Sequence, residues 1–287
     1  VAVIPARDEA ARVPAAIRAL WAQGARVIVV ANGCSDGTAA AARTMGARVI
    51  ETPALSGGVG EARRIGLAAA AAARPRWLLT TDADCTIGPG VLAVLERALR
   101  RADCAFGRVV PEASEFADLP AQVRAHGLLE DRHDALLAAV EGMTEPRPWD
   151  PLPRHRQTPG ALMAFRPGAY AAAGGVPPVP GHEDKLLAAA LERAGARIAR
   201  PWAAVVHASC RVRGRAPEGM ASTIALRTRI DLSGEIRHLS NRCSALEAHL
   251  ARLGARDAVR RRAGSDEVRA SARGYRPGPI EASSGAT

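Results

Sequence analysis

Through the first hundred residues, short apolar runs alternate with stretches of helical pattern, and this alternation restricts the possible folds more than any other feature of the chain. The apolar runs are Val1 to Ile4, Arg26 to Ala31, Arg48 to Glu51, Trp77 to Thr81 and Cys104 to Val109. Helical segments lie between them, near Ala10 to Gln23, Thr38 to Met45, Val59 to Ala73 and Pro89 to Arg101. Gly, Ser, Asp or Pro precedes several of these segments, as expected of turns and helix starts. Strand, helix, strand in succession predicts βαβ units around a mainly parallel sheet. Ligands of such sheets bind beyond the carboxyl ends of the strands, where the unusual residues of this chain fall.

After Val110 the alternation stops. A helical stretch from Leu119 to Val140 leads into Pro-rich Glu145 to Pro159, so residues 111–159 read as a helical and Pro-rich insertion. A strand at Ala161 to Phe165, a Gly/Pro loop to His182, a helix from Lys185 to Ala194 and a strand at Ala203 to His207 resume the pattern and complete a domain of residues 1–215. Residues 216–254 read as a basic helical extension. Residues 255–287, rich in Arg, Ser, Gly and Pro with little to bury, read as a disordered tail.

With 287 residues and 48% hydrophobic content, the chain can bury a large core. Its formal charge of +10 suits nucleic acid, an anionic membrane face or phosphorylated substrates. The basic residues are nearly all Arg and are spread from Arg7 to Arg276, with no nucleic-acid recognition module among them, so no nucleic-acid partner is expected. Peripheral contact with an anionic membrane stays open. The arginines from Arg211 to Arg215 and from Arg227 to Arg237 read as a solvated basic surface, or as an attraction for a phosphorylated or membrane-bound acceptor. Five cysteines without a Cys-x-x-Cys pair point to a reducing, cytoplasmic setting. The apolar run Ile65 to Ala73 falls far short of the ~18 residues of a membrane span. No transmembrane segment is expected, and Val1 to Ile4 reads as a strand, not as a leader.

Four clusters carry chemistry. Asp82-Ala83-Asp84 follows an apolar strand, and extended backbone puts positions i and i+2 on one face. Two hard oxygen ligands there suit Mg²⁺ or Mn²⁺, which neutralises a diphosphate leaving group; taken alone, the motif is equally an acidic loop before a helix. Asn32 to Thr38 is a strand-to-helix turn with anion-attracting N–H groups or simply a capped helix start. Ser56 to Arg64 joins a glycine-rich turn at Gly57, Gly58 and Gly60 to Arg63 and Arg64, whose planar forks match phosphate; the Gly-Lys-Ser/Thr ending of a P-loop is missing. Gly181-His182-Glu183-Asp184 opens a helix, where a carboxylate can take a hydroxyl proton or merely complement the helix dipole.

In this order the clusters resemble the family 2 glycosyltransferases over roughly Val1 to His207. Ile4-Pro5-Ala6-Arg7-Asp8-Glu9 is similar to the family's first strand and nucleotide-binding turn, and Asn32 to Thr38 to its Asp-Asp-Gly-Ser-x-Asp-Gly-Thr segment. Gly58 to Arg63 is similar to its glycine-rich turn, and Asp82-Ala83-Asp84 to its metal and donor motif. Gly160 to Phe165, Gly174-Gly175 and His182-Glu183-Asp184 are similar to its acceptor half.

The resemblance implies a Rossmann-like GT-A fold of the α/β class, with a mostly parallel mixed central sheet flanked by helices and a helical C-terminal extension. It implies a nucleoside-diphosphate sugar donor, a hydroxyl acceptor and Mg²⁺ or Mn²⁺ as cofactor. Donor contacts would come from Pro5, Ala6, Arg7, Glu9, Asn32, Gly58, Arg63, Asp82 and Ala83. Metal ligands would be Asp84 and Asp82, with His207 as a further one. Asp184 is the expected base of an inverting transfer, and Glu183 orients or replaces it. Ala31-Asn32 departs from the family's paired aspartates, so an Asn amide would have to meet the nucleotide base. A sugar-phosphate nucleotidyltransferase would need a basic-tipped glycine loop after the first strand, where Pro5 to Glu9 stands instead. A non-catalytic nucleotide-sugar-binding scaffold is the other alternative.

Overall fold

The computed structural model describes residues 1–212, 214 and 219–274, with side chains up to residue 257. β1 (Ala2–Ala6) is buried along its whole length and pairs in parallel with both β2 (Val27–Asn32) and β4 (Leu78–Thr81). β3 (Arg48–Thr52) adds in parallel to β2. On the other side, β8 (Leu162–Phe165) runs antiparallel between β4 and β6 (Cys104–Phe106), and β9 (Ile198–Ala199) pairs in parallel with β6. The result is a seven-stranded, mostly parallel mixed sheet of order β3-β2-β1-β4-β8-β6-β9.

Alternate residues of the strands feed two cores. Ala2 and Ile4 of β1 pack with Val13, Ile17 and Leu20 of α1 (Val13–Trp21) and with Leu95 of α4 (Val91–Leu99). Val3 faces the opposite way, into the cluster holding Leu67 of α3 (Gly58–Ala71) and Leu187 and Leu191 of α8 (Glu183–Arg193). Burying each such Leu or Ile stabilises the fold by about 1.5–3 kcal/mol, so helices on both faces follow from strands that are apolar on both faces. The buried residues of α1 recur at Val13, Ala16, Ile17 and Leu20, the spacing of one helical face.

A second sheet holds β5 (Cys85–Ile87), β10 (Val205–Ala208) and β7 (Arg108–Pro111), with β10 antiparallel to β5 and parallel to β7. The single strand expected over Cys104 to Val109 is divided at Gly107. Its N–H donates to the Leu162 carbonyl at 2.8 Å, and a Cβ there would strike the Leu162 side chain. The chain therefore leaves the large sheet at Gly107 and enters the small one. β5 and β9 are too short to show a period in the sequence, as are α5 (Ala113–Ala117) and α7 (Pro167–Ala172).

The insertion is dominated by α6 (Ala121–Thr144), against which α10 (Ser233–Gly274) packs after α9 (Met220–Arg227). α10 runs past residue 254, where the extension was expected to end; residues 275–287 of the expected tail lie outside the described residues. Among the described residues no helix is long and apolar enough to cross a membrane.

Candidate active site

The site forms at the carboxyl edge of the large sheet, where β1, β2 and β4 end and antiparallel β8 begins. Asp82-Ala83-Asp84 lies there in a turn between β4 and β5, closed by the Cys85 N–H on the Asp82 carbonyl at 3.3 Å. The two carboxylates thus converge through a turn and not through the extended backbone inferred from their spacing. Single oxygens of Asp82 and Asp84 and the sulfur of Cys85 lie within 4.8 Å of one another. Burial, then the neighbouring Asp82 charge, raises the Asp84 carboxyl to about 6, with Arg211 opposing the rise. Burial also pushes the Cys85 thiol well above its usual value, which keeps it protonated and a poor ligand. Two hard carboxylate oxygens beside a neutral thiol fit Mg²⁺ or Mn²⁺.

Beneath this turn is Arg63 of α3, one of the largest fully buried side chains. One terminal nitrogen is paired with Asp82 Oδ1 and the other with Glu183 Oε1. Burial works against its charge, and the carboxylates of Asp82, Glu183 and Asp184 more than offset that penalty. A Cβ on Gly160 would come within 2.6 Å of Nη1, so that glycine leaves the room the guanidinium fills. This differs from the expected diphosphate contact: at 1% exposure, with both forks engaged, Arg63 is a strut between two carboxylates.

Glu183 is 6% exposed and paired with Arg63 through Oε1, which suits it to orient its neighbour Asp184. Burial raises its carboxyl and Arg63 lowers it. Asp184 accepts from the Gly160 N–H at 2.8 Å and from the Lys185 N–H at 2.7 Å. These bonds hold a half-buried carboxylate in one orientation at the start of α8.

The glycine-rich turn has a packing role that the sequence did not reveal. Cβ atoms at Gly57 and Gly60 would come within 2.5 Å of the Pro178 carbonyl oxygen and 2.6 Å of the Val179 carbonyl oxygen. Gly58, with φ of 55°, lies against Pro180, and the Gly60 N–H donates to Val179 O at 3.2 Å. Residues 57–60 and 177–180 thus meet backbone to backbone, which brings Glu183 up to Arg63 and the acidic turn. Asn32 is likewise occupied: it is 4% exposed, its amide donates to Gly58 O at 3.2 Å, and its oxygen accepts from the Leu55 N–H at 2.9 Å.

The turn after β1 is locked by Asp8, at φ of 52°, whose Oδ1 accepts from the Ser35 N–H at 2.7 Å and the Ser35 hydroxyl at 3.1 Å. Pro5, Ala6 and Ala83 are buried, and Arg7 is exposed beside them. Glu9 is buried and receives Arg211 Nη2 at 2.6 Å, while the same nitrogen lies 2.8 Å from Asp84 Oδ2. Arg211, read from the sequence only as part of a basic surface, is therefore part of the site; nothing in its local sequence distinguishes it from neighbouring arginines. His207 is half-buried in β10, opposite Thr86 and Val110. It is not in the group formed by Asp82, Asp84 and Cys85.

The sheet order and the acidic turn at its carboxyl edge define a GT-A-like glycosyltransferase fold. The chain belongs to glycosyl transferase family 2, whose family model matches residues 1–167. Among solved structures it is similar to glucosyl-3-phosphoglycerate synthase from Mycobacterium tuberculosis in complex with Mn²⁺, uridine diphosphate and phosphoglyceric acid. That match has a TM-score of 0.50 and 20% identity over 84% of this chain and 77% of that one. A complex of the same synthase with Mn²⁺, UDP-glucose and phosphoglyceric acid gives 0.49 and 22% over 85% and 79%. No curated protein matches the chain.

Proposed function

We propose that this chain is an inverting hexosyltransferase that moves a sugar from a nucleoside-diphosphate sugar to an acceptor hydroxyl. The observation that carries this reading is that the acidic turn of Asp82 and Asp84 and the helix start of Glu183 and Asp184 share a single buried arginine, Arg63. In this reading Asp84 and Asp82 hold Mg²⁺ or Mn²⁺, and the chemistry such an ion supplies is neutralisation of charge on the departing diphosphate. The turn of Pro5, Ala6, Arg7 and Glu9, together with Gly58 and Ala83, borders the donor. Asn32 and Arg63 support that border from behind.

Asp184 is the base. Its two N–H donors fix the carboxylate, and the proton of the acceptor hydroxyl passes to it as the hydroxyl oxygen attacks the anomeric carbon opposite the leaving group. Residues 1–215 form the catalytic unit in this reading, and residues from 216 onward form an extension. The five free cysteines are in keeping with a reducing compartment.

Calorimetry with uridine diphosphate and UDP-glucose, with and without Mn²⁺, tests the reading. These nucleotides are the first choice because the similar synthase structures contain them. Mn²⁺-dependent binding that Asp84→Ala abolishes is expected. Absence of binding to any of a panel of nucleoside diphosphates by the folded protein would overturn the reading.

A further inference from the structure

Arg211 stands where a cation for Asp84 is needed. Its Nη2 bridges Asp84 Oδ2 at 2.8 Å and Glu9 Oε1 at 2.6 Å. Arg63 cannot take that part, because both its terminal nitrogens are committed below to Asp82 and Glu183. The placement of Arg211 is not left to a loose side chain. The chain leaving β10 is anchored by Glu115 of α5, whose Oε2 accepts from the Ser209 hydroxyl and the Cys210 N–H, each at 2.6 Å. The Ser209 N–H reaches the Asp84 carbonyl at 3.3 Å, which ties this exit strand to the acidic turn itself. Arg211 is also only partly buried, its side chain retaining 20% exposure, so part of the side chain already faces solvent.

A guanidinium stays charged at any pH the protein meets, and a divalent cation on the same carboxylate would face it at close range in a partly desolvated site. The two cannot share Asp84 without strong repulsion. We propose that Arg211 is the resident counter-ion of Asp84, that a divalent cation must displace it, and that the chain consequently takes up metal together with a diphosphate in preference to the bare ion. The diphosphate provides the anion to which the displaced guanidinium turns, through the bidentate geometry that suits Arg to phosphate. This last step rests on the glycosyltransferase reading above; the competition at Asp84 does not.

Mn²⁺ binding to the full chain, followed by loss of the free-ion electron paramagnetic resonance signal, tests the proposal in the native protein, Arg211→Ala and Arg211→Gln. The Gln variant keeps length and hydrogen-bonding capacity while removing the charge, and far-ultraviolet circular dichroism verifies that each variant is folded. Without nucleotide, both variants are expected to bind Mn²⁺ about tenfold more tightly than the native protein, the size of an ordinary coupling between two sites. Uridine diphosphate is expected to strengthen Mn²⁺ binding more in the native protein than in either variant. Unchanged or weaker binding of Mn²⁺ alone in both folded variants overturns the proposal, even if Mn²⁺ and uridine diphosphate bind the native protein and uphold the glycosyltransferase reading. Tighter Mn²⁺ binding in the variants, with no nucleoside diphosphate bound by any form, upholds the competition and removes the glycosyltransferase reading instead.

Discussion

Asp82 and Asp84 stand two residues apart in a tight turn between strands, whereas Glu183 and Asp184 are neighbours at the first turn of a helix. Despite this difference in backbone, the two pairs divide their work in the same way. One member of each, Asp82 or Glu183, reaches down to Arg63, and the other, Asp84 or Asp184, is held by a second set of partners. They differ in those partners. Asp84 is answered by a charged side-chain guanidinium, Asp184 by two backbone N–H groups that cannot leave. A carboxylate that exchanges counter-ions is suited to a cation that comes and goes. One fixed by backbone is suited to proton transfer, where geometry matters most.

The most damaging break in this scheme is expected from Arg63→Ala. It leaves buried Glu183 and half-buried Asp82 without this partner, with an expected loss of about 3–5 kcal/mol of stability in urea unfolding, reduced by whatever share half-buried Asp82 recovers from solvent. A loss below about 1 kcal/mol would show that the pairs stand independently. Asp184→Asn separates the two roles: turnover is expected to fall by about 10²–10⁴-fold while Mn²⁺-dependent nucleotide binding stays at the native level. Unchanged turnover would remove Asp184 as the base. In Gly160→Ala, the new methyl lies 2.6 Å from Arg63 Nη1, and a cost of about 1–3 kcal/mol is expected by differential scanning calorimetry.

The last effect concerns the scaffold and scales with pH. His155, on the chain between α6 and Gly160, is buried with Nε2 3.2 Å from the Phe106 carbonyl, and burial holds its imidazole down at about 3. The unfolded chain takes up this proton near 6.5, so stability is expected to fall as pH drops below that value, by at most about 1.4 kcal/mol per unit, until pH nears 3. Urea midpoints between pH 7 and 4 should show a shallower decline in His155→Gln. An equal decline would assign the acid sensitivity elsewhere.

Much of the donor side could be read from the sequence because it consists of local signals: apolar runs that end in Asp82-Ala83-Asp84 or in Asn32 to Thr38 make strand, turn and site in a few consecutive residues. The antiparallel direction of β8 was not legible, since direction depends on where the chain returns after α6. Nor was the fate of Arg63, because a guanidinium suits phosphate and carboxylate equally, and only the approach of Glu183, far along the chain, decides between them. Arg211 was hidden for the same reason: its partners Glu9 and Asp84 come from the opposite end of the domain. Asn32, offered by its position to a base, is claimed by the loop backbone at Leu55 and Gly58.

The contact between residues 57–60 and 177–180 has a mechanical consequence. Side chains that interdigitate can change rotamer and let two surfaces slide; a joint of glycine against proline carbonyls has no rotamers to change. The spacing between the start of α3 and the start of α8 is therefore set by main-chain dimensions, much as the gap of a machined jaw is set by its casting. A swing of a single side chain such as Arg211 at the rim would leave the spacing of these two helix starts as it is.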